Sequence, residues 1–271
     1  MDWNFKSKNL IFPSRRLVND DFIENNKLKT MTMVKDKGGS YYIIIPYNKN
    51  PIEIKTKKNI ISMDPGVITF QSYYSPTGEC GKFGENFSKS LEKNNEEIKG
   101  IQSKISKLFE EKEKMKKTNK KTKSKRNQIK NLKKELNKKR IHIRNKIKDF
   151  HNKTIKYICE NYENIIMPKL NSKAIAKKMK RIGMKKQGEK IIELSHSKFI
   201  ERLKTKIEVY KGRKLYIVSE EYTSKTCGKC GIINRELGSN RTFNCKECDY
   251  KSDRDINASR NILIKFLTGK K

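Results

Sequence analysis

Acidic residues are scarce in this chain. It has 30 Asp and Glu against 65 Lys and Arg in 271 residues, a formal net charge of +35. That imbalance excludes an ordinary soluble enzyme of small molecules and points to a polyanionic partner. A surface that tracks phosphates needs cations along much of its length, and here they are spread through most of the chain. An AT-rich codon bias inflates Lys, Asn and Ile, but it does not by itself produce so large an excess of base over acid. Long apolar runs are missing too. No stretch approaches the roughly 18 residues of a membrane span, and there is no lipidation motif, so nucleic acid comes before a membrane as the expected partner. No stretch reads as a secretory signal peptide, and the six cysteines then point to a reducing, intracellular setting. The length suits one large domain or two small ones.

The cysteines that are present are concentrated. Cys227, Cys230, Cys245 and Cys248 form two CxxC pairs with fourteen residues between them. Four thiolates fill a tetrahedral Zn²⁺ and leave no open position, which makes such a site structural rather than catalytic. The gap is just under the usual zinc-ribbon range. Gly228 and Gly231 suit turns that need positive φ. Cys80 and Cys159, unpaired by spacing, are expected to be small buried residues. Carboxylates flank the module. Glu220 and Glu221 close the apolar run Leu215 to Val218, and Asp253 and Asp255 open a segment with Ile256, Ile262, Leu263 and Phe266 at helical spacing. A helix N-cap accounts for Asp253, and Asp255 falls in the first turn, where the helix dipole favours an acid.

The remaining pattern gives an order of elements. Residues 1–58 are weakly patterned, and within them Tyr41 to Pro46 reads as a strand. Asn59 to Phe87 reads as three strands, with a turn at Ser75-Pro76-Thr77-Gly78. Asp64 follows the first of these runs and precedes Pro65-Gly66; a turn-opening aspartate would account for it equally well. From Ser88 to Tyr162 two apolar stripes recur at helical spacing. One is Ile98, Ile101, Ile105 and Leu108; the other is Ile129, Leu132, Leu136, Ile143, Ile147 and Phe150. They predict two long antiparallel helices with a break near Lys117 to Ser124. Their lysines suit either a solvated face or a rail along a duplex. Asn164 to Leu170 reads as a buried strand, and Ser172 to Glu189 as a basic, glycine-interrupted loop. Ile191 to Tyr210 reads as a helix, with His196 packed and hydrogen-bonded rather than a ligand. Leu215 to Ser219 reads as a last strand before the cysteine module. Strands first, then strands alternating with helices, describe an α/β layered domain.

Four groups of residues together resemble the TnpB family of transposon-encoded nucleases, whose eukaryotic and viral branch is Fanzor. They are Asp64-Pro65-Gly66, the run Thr223-Ser224-Lys225-Thr226-Cys227-Gly228-Lys229-Cys230, the pair Cys245 and Cys248, and Asp253-Arg254-Asp255-Ile256-Asn257-Ala258. The resemblance covers about residues 40 to 268. It implies an α/β, RNase H-like (RuvC) mixed sheet with a long helical-hairpin insertion and a four-cysteine zinc ribbon inserted before the last helix. It divides the chain into four parts: residues 1–58, a remnant of an N-terminal recognition module; 59–223, a RuvC-like nuclease domain with its insertion at 88–162; 224–252, the zinc ribbon; and 253–271, the last helix and a basic tail. The activity implied is RNA-guided cleavage of DNA, with guide RNA and DNA as partners, in the cytoplasm or nucleus of a eukaryotic or virus-infected cell.

The family's first catalytic acid falls on Asp64 and its last on Asp255. Its middle acid normally ends the strand that here reads Ile165 to Leu170, where this chain has Met167 and no acid. The Fanzor branch places that acid on the next strand, which puts it on Glu220, with Glu221 as the alternative. The Leu194-Ser195-His196 and Arg202-Leu203 context resembles the same branch. Two Mg²⁺ ions about 4 Å apart would be held by Asp64, Glu220 and Asp255, and Zn²⁺ by the four cysteines. Family members usually carry a recognition half ahead of the nuclease domain, so a truncated copy is expected. The alternative function is a non-catalytic nucleic-acid-binding remnant that keeps the zinc module. A ribosomal or transcription-associated zinc-ribbon protein is disfavoured by Asp64 and the Asp-x-Asn-Ala motif.

Overall fold

A computed structural model describes residues 32–35, 41–44, 50–54, 58–118, 120–219, 221–238 and 240–269. The chain falls into two units, Met1–Asn50 and Pro51–Lys271. The first contains an antiparallel ribbon of β1 (Thr32–Lys35) and β2 (Tyr41–Ile44), with Val34 opposite Tyr42. Ile45 and Pro46, which complete the run read as a strand, lie outside the described residues.

The second unit is built on a five-stranded mixed sheet. Its strands are β3 (Lys58–Pro65), β4 (Gln71–Tyr74), β5 (Cys80–Phe83), β6 (Tyr162–Pro168) and β7 (Lys214–Val218), in the order β5-β4-β3-β6-β7. The first three are antiparallel neighbours, which short turns can join; β6 and β7 run parallel to β3 and so need long crossovers. Helices supply them: α1 (Lys89–Lys117) and α2 (Lys123–Asn161) before β6, then α3 (Ser172–Arg181), α4 (Lys185–Leu194) and α5 (His196–Ile207) before β7. A small ribbon of β8 (Thr242–Asn244) and β9 (Lys251–Asp253) precedes the last helix, α6 (Arg254–Leu267). Among the described residues no helix is long and apolar enough to cross a membrane.

Strand side chains alternate between two faces, and the sequence fills each differently. Ile61 and Met63 of β3 and Ile165 and Met167 of β6 turn to one side, under Ile155 and Ile158 of α2 and Phe199 and Leu203 of α5. Burying each of these chains contributes about 2 kcal/mol, so this face anchors the unit. On the other side Ile166, Tyr74, Tyr216 and Val218 meet Ile262, Leu263 and Phe266 of α6. Ser62, opposite Tyr74, is on this second face, and so is Asp64 two residues further along β3. The helical hairpin has its own seam, with Ile101 and Ile105 of α1 on Ile129 and Leu136 of α2.

Three expectations are corrected here. The stretch Ser172 to Glu189 is helical. Asn171 caps α3 by accepting the Ala174 amide at 3.1 Å, and Gly188 lets α4 pass close to α3, since a Cβ there would sit 3.0 Å from the Ala176 carbonyl oxygen. The following helical run breaks at Ser195, which takes a left-handed φ of 53° between α4 and α5. Cys80 is exposed, because it starts the edge strand β5, whereas Cys159 is buried and its thiol is pushed up to about 11 by that burial.

Candidate functional site

The site is organised by the N-terminal half of α6. Asp253 caps the helix: its Oδ1 accepts the amides of Asp255 at 2.9 Å and Ile256 at 3.2 Å. Its Oδ2 takes a 2.7 Å ion pair from Lys82 of β5. Burial pushes the Asp253 carboxyl up, but the Lys82 bond and the two cap amides outweigh it and hold it below the ordinary aspartate value. One turn into the helix, the Ser259 hydroxyl returns to the Asp255 carbonyl at 2.8 Å, while the Ser259 carbonyl accepts the Ser62 hydroxyl of β3 at 2.8 Å. That last bond fixes the helix over the strand.

Asp64 and Asp255 follow from this anchor. Ser62 of β3 holds Ser259 of α6, while Lys82, in the row of Asp64, holds Asp253 at the start of α6, so the helix runs antiparallel to the strand. Asp64 lies about 7 Å beyond Ser62 at the strand rise, and Asp255 about 6 Å beyond Ser259 at the helix rise. The two acids therefore share one end of one sheet face. Asp64, Ser72 and Lys82 occupy adjacent positions on β3, β4 and β5, and Lys82 feels the charges of both Asp253 and Asp255. The Asp255 carboxyl is raised above the ordinary value, first by burial and then by Asp253, against Lys82, Arg254 and Arg241. The Ser72 hydroxyl, 1% exposed and directly opposite Asp64, has no hydrogen-bond partner. Crowded carboxylates beside an unsatisfied buried hydroxyl suit a bound divalent cation, which takes oxygen ligands and neutralises charge.

The turn after Asp64 is held from the other face. A Cβ on Gly66 would meet the Thr69 carbonyl oxygen at 2.5 Å, so the turn closes tightly on itself. His196 Nε2 donates to the Gly66 carbonyl at 3.0 Å, which leaves Nδ1 to accept from Gln71 Nε2 at 3.4 Å. Phe70 is stacked between two histidine rings, with centroids 4.7 Å from His196 and 5.0 Å from His151. His151 bonds the Leu194 carbonyl at 3.0 Å and Arg202 at 2.8 Å. His196 is thus the packed, hydrogen-bonded residue its context suggests, and burial lowers its pKa to about 4.

Of the candidate middle acids, Glu220 lies outside the described residues. Glu221 is exposed in a turn, its amide bonding the Ser219 hydroxyl at 3.4 Å. Met167 is buried on the opposite face of the sheet, away from α6.

The four cysteines come together on the other flank of α6. Cys227 and Cys248 Sγ are 3.6 Å apart, as are Cys230 and Cys245, and all four sulfurs lie within 4.8 Å of one another. Zn–S bonds of about 2.3 Å in a tetrahedron put sulfurs about 3.8 Å apart, so the cluster fits Zn²⁺. Four thiolates at this spacing repel one another, and a cation among them offsets that charge. Each pair sits on its own turn, with the Cys227 amide bonding Ile232 and the Cys245 amide bonding Tyr250. Gly231 has a φ of 82°, as a turn glycine should. Gly228 is needed for another reason: a Cβ there would approach Asn257 Oδ1 to 2.9 Å. Asn257 accepts the Gly228 amide at 3.0 Å and donates to the Thr226 carbonyl at 2.8 Å; Asn261 donates to Thr223 and Thr226. These two asparagines, one turn apart on α6, clamp the first cysteine turn. Their signal in the sequence was a polar pair at helical spacing among buried apolar residues. Lys82 and Ser72 had no such signal.

A family model described as Cas12f1-like, TNB domain, matches residues 196–262. Over 234 residues the chain is 31% identical to a putative transposase of Paramecium bursaria Chlorella virus 1, covering 86% of this chain and 49% of that protein. It is 30% identical over 244 residues to a TnpB-like protein of Acanthamoeba polyphaga mimivirus, covering 87% of this chain and 43% of that one. The chain belongs to the TnpB family. This TnpB-family chain spans less than half the length of those two relatives. Its fold is that of the solved mini-RNA-guided endonuclease CRISPR-Cas_phi3, with a TM-score of 0.52 at 12% identity over 89% of this chain and 52% of the other.

Proposed function

We propose that this chain is the nuclease portion of an RNA-guided, divalent-metal-dependent DNA endonuclease, on the Fanzor-like branch of the family, with a RuvC-like acid site. The observation that supports this reading is the Ser62–Ser259 bond, which ties the strand that carries Asp64 to the helix that carries Asp255, far apart in sequence. Asp64 and Asp255 are two metal-holding acids. Glu220 is the third, with Glu221 as the alternative, on the resemblance to the Fanzor branch. When bound, a pair of Mg²⁺ ions supplies an activated water and offsets charge on the scissile phosphate. The chain's own part is to hold the acids at fixed positions and to bind the phosphates on either side through its surface lysines and arginines. The four cysteines hold structural zinc. Residues 1–58 are the remnant of a recognition module. The guide RNA and DNA act with the chain inside a cell.

The test is plasmid cleavage with Mg²⁺ and RNA transcribed from the chain's own locus. Asp64→Asn, Asp255→Asn and Glu220→Gln should each lower cleavage by at least about a hundredfold, since even outer-shell partners of metals cost 10–100-fold. Binding should stay near wild type, because it rests on the basic surface. If Glu221→Gln is dead and Glu220→Gln active, the middle acid is reassigned. Uncut plasmid with salt-sensitive binding intact would favour the non-catalytic remnant instead.

A further inference from the structure

Tyr222 lies in the segment between β7 and the first cysteine turn. It is 67% exposed, more than any other exposed large apolar or aromatic residue among those described. Its backbone is left-handed, with a φ of 63°. A bulky residue rarely adopts that conformation, which suits Gly, Asn or Asp far better. It persists because the Tyr222 carbonyl accepts three bonds: the amides of Lys225 and Thr226 at 3.0 Å and the Thr226 hydroxyl at 2.8 Å. The next carbonyl, of Thr223, accepts Asn261 Nδ2 at 2.8 Å, which ties the segment to α6. The backbone is therefore rigid, and the fold gains little from having an aromatic ring there.

The position of Tyr222 suggests the ring's use. Strands β6 and β7 run parallel to β3, so Tyr222 follows the same end of the sheet as Asp64. Lys225 and Lys229, both exposed, lie in the same short segment. An exposed ring on a fixed backbone, with cations close by, is the composition of a single-strand binding platform. Base stacking needs no particular sequence, because every base offers a π face.

We propose that Tyr222 is a stacking platform for one nucleobase of a single strand held at the acid face, with Lys225 and Lys229 on the adjoining phosphates. The nature of this ligand rests on the proposed nuclease reading. The probe is a thymidine oligonucleotide carrying 2-aminopurine at successive positions, titrated into the full chain at fixed salt. Wild type and Tyr222→Phe should quench fluorescence at one or two positions. Tyr222→Ala should lose that quench and bind roughly tenfold more weakly, in line with alanine substitution at other stacking platforms. Tyr222→Asn suits the backbone and should fold with a full complement of zinc, yet behave as Ala does. Quench and affinity unchanged in both Ala and Asn would overturn the platform and leave the nuclease reading standing. No binding by the wild type at low salt would overturn both.

Discussion

The two flanks of α6 gather their residues by opposite routes. On one flank four sulfurs gather from residues 227 to 248, each pair shaped by its own turn. On the other, Asp64 and Asp255 are carried toward one end of the sheet by the register of β3, β4 and β5 and by the bond that ties α6 to β3. The first centre is local and carries its geometry with it. The second is a property of the fold, and it depends on Ser62, Ser259, Lys82, Asp253 and the His196-pinned turn. A local centre should therefore fail by itself, whereas a fold-borne centre should fail whenever a distant support does.

Removing the metal from the local centre should have the largest effect. Structural zinc contributes on the order of 10 kcal/mol to the segment it closes. Purified protein should contain one equivalent of zinc, and a strong chelator or Cys245→Ser should open residues 224–252 to protease. The apolar face of the sheet should keep its amide-exchange protection, since none of its packing passes through the cysteines. Less than half an equivalent of zinc in purified protein would sink the zinc reading. Simultaneous loss of protection in β3 and β6 would erase the contrast between the two flanks.

The supports of the acid face should respond to pH instead. Burial, with Arg202 adding to it for His151, lowers both His151 and His196 to about 4. Their folded values lie below the ordinary histidine value of about 6.5, so their contribution is present above that value and is lost as pH falls toward 4. By pH 5 each should have cost roughly 2 kcal/mol. The urea midpoint should drop between pH 7.5 and 5, and His196→Gln should flatten the drop. An unchanged midpoint across that range would mean the two rings are not held neutral in the fold.

The same contrast explains what the sequence could show. Cys227, Cys230, Cys245 and Cys248 were legible because ligand spacing within a turn is a local property, and the stripes of α1 and α2 were legible because Ile101, Ile105, Ile129 and Leu136 repeat at helical spacing. Asp64 and Asp255 looked like a turn residue and a first-turn acid, each explicable alone; only the family resemblance joined them. Lys82 and Ser72 gave no sign, because what matters is which strand lies beside which. The α3–α4 pair was misread as a loop because its charge and glycines suggest one, and the role of Gly188 is close packing against Ala176.

The smallest predicted effect separates two neighbouring acids. Asp253 is held below its ordinary value despite burial, chiefly by Lys82 and the cap amides, so its contribution is present above the ordinary aspartate pKa and lost as pH falls through the lowered one. Asp255 is raised by burial and by Asp253, so its contribution is present below the ordinary value and lost as pH rises through the raised one. At neutral pH the first carboxylate therefore stabilises the fold and the second strains it. Asp253→Ala should cost about 1 kcal/mol as a lost cap, lowering Tm by roughly 2–4 °C. Asp255→Asn should raise Tm in buffer without Mg²⁺. Adding Mg²⁺ should then stabilise the wild type and leave Asp255→Asn unmoved, because only the charged residue gains from a cation. If Asp255→Asn melts as low as Asp253→Ala, with or without Mg²⁺, Asp255 is a structural first-turn acid and the fold-borne centre loses its second member.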